Sequence, residues 1–217
     1  MAGKPTGKQT DRLRGSAALW VDGAYKALIE GGIDAVKVMP LAKALNLSRT
    51  SFYWHFEDRD ALLSALLLRW QDKNTGNLVA RTEAYAESIS EAMFNLYDCW
   101  IDTALFDAEF DRAVRNWGLT SDAVQDLIQH ADNTRRAAVK AMFQRYGFSE
   151  KQADSRAATV IYTQVGYIAM LVREPLEPRV RRMPDHIEIY TGQVPSAAEI
   201  QRFRARHGLA EVRSEAV

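Results

Sequence analysis

Residues 41–174 contain no proline and no alternating apolar–polar stretch long enough for a strand. Proline inside a helix removes a backbone donor and clashes with the preceding turn, so a long proline-free interval suits a succession of helices. Over the same interval apolar residues recur at three- and four-residue spacings, the period of a helix with one buried face. The expected fold class is all-α. With 217 residues, 47% hydrophobic and 26% charged, the chain has material for a substantial core in one or two domains.

One stretch departs from ordinary helix composition. Residues 48–56, Ser-Arg-Thr-Ser-Phe-Tyr-Trp-His-Phe, place short polar groups, a cation and a dense run of aromatics within two turns. Upstream, residues 40–45 read as a short helix and Asn46-Leu47 as a tight joint. Leu41 and Leu45 lie at i and i+4, Leu47 plugs the turn, and Phe52 and Phe56 anchor the next helix at the same spacing. Pro40 suits a first helical turn, Asn46 tolerates a left-handed backbone, and Ser48 is a good N-cap. This is the layout of a helix-turn-helix, whose second helix lies in the DNA major groove. With Phe52 and Phe56 inward, Arg49, Thr50, Ser51, Tyr53, Trp54 and His55 are left near the outer face. The N-terminal residues of such a helix go deepest, so Arg49, Thr50 and Ser51 are the candidate base readers, and Tyr53 and His55 the candidate phosphate clamps. Trp54 has no assigned role. The plainer alternative is an ordinary aromatic core with Tyr53 and Trp54 buried.

These residues resemble the DNA-binding domain of the TetR family of bacterial transcriptional regulators, over roughly residues 15–68. The ordered set is Gly31-Gly32, Leu41-Ala42, Asn46-Leu47-Ser48, Tyr53-Trp54-His55-Phe56 and Arg59-Asp60-Ala61-Leu62-Leu63. Asn46 stands where the family usually has glycine. Val38 stands where a hydroxyl residue often caps the helix and touches a phosphate, with Lys37 as a substitute. Arg59 replaces a lysine at the start of the fourth helix, where family members contact a phosphate. The resemblance implies DNA contact by Lys37, Ser48, Arg49, Thr50, Ser51, Tyr53, Trp54, His55 and Arg59. It also implies a basic arm at 1–15, a three-helix helix-turn-helix domain at 16–60, and a C-terminal helical ligand-binding and dimerisation domain at 61–217.

The formal net charge is zero, which looks wrong for a DNA binder until its distribution is read. Residues 1–56 hold eight cations against four anions. The compensating acidity lies in the rest of the chain, as expected if only one end meets phosphate. Lys8, Arg12 and Arg14 suit an arm that reaches an adjacent minor groove. The single cysteine, Cys99, has no intrachain disulfide partner, and the four histidines show no metal-ligand spacing. Residues 1–15 lack the apolar stretch of a signal peptide, and the most apolar run, 157–172, is too short and too polar to span a bilayer. A soluble cytoplasmic protein with no membrane association, no metal and no resident cofactor is expected.

Further helices are expected at 16–30, 58–74, 82–106, 107–117, 121–146 and 149–173, with short ones near 185–190 and 197–206 after a proline-rich crossing. The helix over 149–173 is apolar almost all round from 157 onward, so it needs partners on two sides. The resemblance supplies the second side from another copy of the chain, with Ala138, Phe143, Ala158, Ile161, Val165, Gly166 and Ala169 as candidate interface residues. For an effector pocket, Trp100, Phe110, Trp117, Tyr162 and Tyr167 offer aromatic walls, and Asp111, Arg115, Asn116, His130 and Gln164 offer polar anchors. Each also suits plain core packing.

The expected function is a homodimeric repressor of a palindromic duplex operator, released by a small-molecule effector. An effector-independent DNA-binding regulator is the nearest alternative. A helical enzyme on an aromatic or acyl substrate has no nucleophile elbow, phosphate loop or Cys–His arrangement behind it, so no catalytic residue is assigned.

Overall fold

The computed structural model describes residues 15–209; the basic arm expected at 1–15, with Lys8, Arg12 and Arg14, lies outside the described residues except for Gly15. Among the described residues every regular element is helical. The contacts divide the chain into two units. One runs to Asp72 and adds Glu109–Ile128; the other comprises Lys73–Ala108 and the chain from Gln129 onward.

In the first unit, α1 (Ala17–Gly31) begins where Ser16 Oγ accepts the Leu19 N–H at 3.1 Å. It stops at Gly32, whose φ of 70° a side chain would oppose. A 3₁₀ turn (Ile33–Ala35) leads to α2 (Val38–Ala44), α3 (Arg49–Tyr53) and α4 (Arg59–Trp70). Asn46 takes φ 53° in the joint between α2 and α3, the left-handed conformation its short amide tolerates. Gly23 lies on the buried face of α1, where an added β-carbon would sit 3.1 Å from Leu45 Cδ1.

The cut at residue 60 drawn on the sequence differs from this contact-based division. Helix α4 packs on α1, burying Leu62, Leu63, Leu66, Leu67 and Trp70, and α7 (Ala108–Gly118) belongs to the same unit. Two side-chain contacts show why. The Phe110 ring meets Tyr25 edge-on with centroids 5.0 Å apart. The fully buried Asp111 accepts the Trp70 Nε1–H at 3.0 Å and pairs with Arg115 Nε at 2.7 Å.

The chain enters the second unit within a π-helical stretch (Gln71–Gly76), followed by α5 (Asn77–Glu83). Helix α6 (Ile89–Ile101) starts afresh where Ser88 caps Glu91 N, so the single helix expected over 82–106 is broken at both ends. At its far end the chain turns through residues 102–107. Asn74 donates to the Asp107 carbonyl and accepts from the Asp107 N–H, and Asn77 donates to the Leu105 carbonyl. These amides occupy backbone groups that would otherwise have continued a helix.

Helix α8 (Asp122–Arg145) spans both sets of residues. It is followed by α9 (Glu150–Ala169), opened by a capping box of Ser149 and Gln152, and by α10 (Leu176–Arg181), α11 (Met183–Thr191) and α12 (Ala197–Arg206). Helix α9 ends four residues before the expected 173, where Leu171 turns left-handed at φ 55°. The second unit's core joins α6, α8, α9, α11 and α12 through Phe94, Leu96, Phe143, Val160, Ile187 and Phe203. Helix α12 is lashed to α6. Phe203 stacks on Phe94 at 4.6 Å, and the buried Asp98 of α6 is met by Arg206 and His207.

Cys99 lies wholly inside this core, and burial pushes its thiol up to about 12. A group so protonated has almost no thiolate at pH 8. The folded chain is expected to resist an aromatic disulfide reagent at pH 8 and to react fully once unfolded in urea. Rapid reaction of the native chain would contradict this burial.

Candidate nucleic-acid interface

Helix α3 is only five residues long, and its two faces have different tasks. Inward, Phe52 is fully buried, edge-on to Trp20 at 5.2 Å and stacked on Phe56 at 5.5 Å. At its start, Ser48 Oγ accepts the Ser51 N–H at 3.1 Å and so fixes the helix entry. Outward stand Arg49, Thr50, Tyr53 and Trp54, with Trp54 63% exposed. Arg49 Nη2 donates to the Tyr53 hydroxyl at 3.1 Å, one turn along the same face. That bond presents the guanidinium and the phenol as one surface rather than two free side chains.

Two sequence assignments need correcting on this geometry. Ser51 is 3% exposed and lies beside Phe52 on the inner face, so it does not stand with Arg49 and Thr50 as a base reader. Arg59 is committed within the unit. Its Nε donates to the Val36 carbonyl at 2.6 Å and its Nη2 to the Ile33 carbonyl at 2.9 Å, which makes it a strut for the segment before α2. Ser48 caps the helix as expected and is exposed. Lys37, exposed at the start of α2 with no capping bond of its own, remains accessible, and His55 is half-buried. The alternative in which Tyr53 and Trp54 are core does not hold, since both are exposed.

The proposed effector residues do not form one group. Phe110, Asp111 and Arg115 pack within the first unit, as above. Asn116 and Trp117 line a cleft of ≈ 320 Å³ beside the Gly31-Gly32 turn. Trp100, Gln164 and Tyr167 instead share a pocket of ≈ 60 Å³ in the second unit, together with Tyr97, Arg179 and His186, which sequence reading missed. Neighbouring placement of Tyr97 and Trp100 on α6 was the available signal; Arg179 and His186 come from the proline-rich tail and gave none. His130 and Tyr162 are exposed. Of the proposed interface residues, Phe143 and Ile161 are buried in the second unit's own core. Ala138, Ala158, Val165 and Gly166 are partly exposed and Ala169 is exposed.

A short helix held by aromatics, entered through a left-handed turn and bearing a cation on its outer face, has the layout of a helix-turn-helix head. Residues 21–66 match the model of the bacterial regulatory proteins, tetR family, which identifies this segment as a TetR-family helix-turn-helix and bears out the resemblance read from residues 15–68. No curated protein matches the chain. The fold is that of TetR-family transcriptional regulators with a helical C-terminal domain. A transcriptional regulator of Rhodococcus sp. Rha1 is 18% identical with a TM-score of 0.58, over 88% of this chain and 97% of that one. A TerR/AcrR-family regulator of Aquifex aeolicus VF5 is 15% identical with a TM-score of 0.55, over 82% and 96%. No helix among the described residues is long and apolar enough to cross a membrane.

Proposed function

We propose that the chain is a cytoplasmic homodimeric repressor that reads a palindromic operator with α3 and is released by a small-molecule effector. The observation that carries the DNA reading is the outer face of α3. Arg49 and Thr50 stand at its N-terminal end, the deepest part of a groove-bound helix, on a scaffold locked by Phe52 and Phe56. Pairing of two chains is supported by the apolar residues left uncovered at the end of α9, where Tyr162 is 61% and Met170 77% exposed. Two heads would meet half-sites one helical turn apart, or a multiple of it. Release requires an effector that prefers the DNA-incompetent state. A coupling of ~1–3 kcal/mol changes affinity about 5- to 150-fold, and α4 with its π-helical continuation is the segment through which it would pass.

Selection of bound sequences from random duplexes tests the reading, with variants measured on the selected site and on scrambled DNA. Arg49→Ala is expected to cost ~1–3 kcal/mol on the selected site and to relax its sequence preference. Lys37→Ala should weaken both duplexes alike and flatten the salt dependence by about one phosphate contact. Equal losses on both duplexes for Arg49→Ala would remove the base-reading role, and failure to enrich any sequence would remove the function.

A further inference from the structure

The ≈ 60 Å³ pocket between α6, α9 and the α10–α11 tail is unusual in its polar lining. It holds donors and no carboxylate. Trp100 is only 9% exposed, yet its Nε1–H meets no hydrogen-bond acceptor among the described residues. Such a donor is costly unless something accepts from it. Beside it, Arg179 lies over the Tyr167 ring, 4.7 Å from the centroid, and forms no ion pair among the described residues. By contrast Arg182, on the same wall, is paired with Glu174.

The titratable groups sharpen the charge. Burial, then the Arg182 charge, pushes the His186 imidazole below its ordinary pKa against the opposing pull of Asp185 and Glu174, so at neutral pH it is largely uncharged. Burial pushes the Tyr97 hydroxyl well above its usual range, so it stays protonated and able to donate. The lining brings together a guanidinium with no ion pair among the described residues, the Trp100 indole, a phenolic O–H and flat aromatic walls.

We propose that this pocket takes a small monocarboxylate carried on a flat apolar body such as a single ring, its charge held by Arg179 and an oxygen accepting from Trp100 Nε1–H. The proposal rests on the effector-responsive regulator reading and names the chemical class of the effector. A guanidinium is the side chain best matched to a carboxylate, through two parallel N–H donors. The stacked Tyr167 ring already holds it in place, which lowers the ordering cost of binding. The small free volume excludes a drug-sized molecule and seats only the carboxylate end, the ring lying at the mouth largely in solvent.

The test uses the full chain and two nearly isosteric probes, benzoate and its neutral counterpart benzamide, titrated by calorimetry at pH 7. Benzoate is expected to bind about tenfold or more tightly than benzamide, the ordinary margin of a charge-assisted bond. Arg179→Gln should erase that margin, Arg179→Lys should retain part of it, and Trp100→Phe should weaken both probes. Circular dichroism melts of the free variants establish that they are folded, and the lysine variant carries the test if the glutamine variant is not. No binding of benzoate, equal affinities for the two probes, or a benzoate preference that survives loss of the Arg179 charge would overturn the proposal. Duplex binding is measured in parallel. Benzoate discrimination without any sequence-selective duplex binding leaves this pocket standing and removes the regulator reading; the reverse result removes the pocket alone.

Discussion

Asp111→Ala is expected to lower the stability of the first unit by about 3–5 kcal/mol, the cost of stripping one partner from a buried charged pair. The carboxylate is fully buried, accepts the Trp70 Nε1–H at 3.0 Å, and pairs with Arg115 Nε at 2.7 Å, where the Arg115 side chain is 20% exposed. Alanine would leave a buried indole N–H and a mostly buried guanidinium without this acceptor, in a site where water does not easily replace it. Asp111→Asn keeps an acceptor for Trp70 while discarding the charge, so its loss should be clearly smaller. The exposed Asp126, one helix later, is the control, and Asp126→Ala should stay within about 0.5 kcal/mol of the parent. Urea midpoints followed by circular dichroism give the comparison. If Asp111→Ala and Asp126→Ala unfold at the same urea concentration, the buried pair does not stabilise the unit as described.

Asp111 also shows where sequence reading stops. Phe110, Val114 and Trp117 lie at i, i+4 and i+7, a local spacing that puts them together on the buried face of α7. Nothing in the pattern named Trp70, 41 residues away, as the partner of the acid between them. Arg59 is the same case: as a cation at a helix start it resembled a phosphate contact, but its acceptors are the Ile33 and Val36 carbonyls, 26 and 23 positions upstream. Local signals survived well. Ser16, Ser48 and Ser149 cap the helices they were expected to open, and Asn46 turns left-handed. Each of those depends on a few adjacent residues and a backbone group that must be satisfied. The Ser88 cap that restarts α6 was equally local and could have been read, because serine followed by glutamate three positions on is a start signal. Ser51 was misread for a different reason. A packed stripe on a helix is at least about 100° wide, so it takes in the small residue next to Phe52 as well as Phe52 itself.

Phe52 and Trp54, two positions apart in one aromatic run, are expected to answer to mutation in opposite ways. Phe52 is fully buried and meets Trp20 at 5.2 Å, Tyr53 at 5.3 Å and Phe56 at 5.5 Å. Phe52→Ala should therefore cost about 3–5 kcal/mol in unfolding stability, the sum of lost burial and the cavity left behind. Trp54 is 63% exposed, and Trp54→Ala should change stability by no more than about 0.5 kcal/mol. The consequence for DNA follows from the same contacts. A five-residue helix has too few internal hydrogen bonds to hold its own direction, so the orientation of Arg49 and Thr50 depends on the ring beneath them. Phe52→Ala is expected to lose sequence-selective binding although every exposed side chain is intact, and Phe52→Leu, which refills much of the volume, to recover part of both properties. Urea midpoints and affinities for selected and scrambled duplexes separate the outcomes. Equal stability for the two alanine variants, or full selectivity in a folded Phe52→Ala chain, would show that the aromatic seam does not position the outer face of α3.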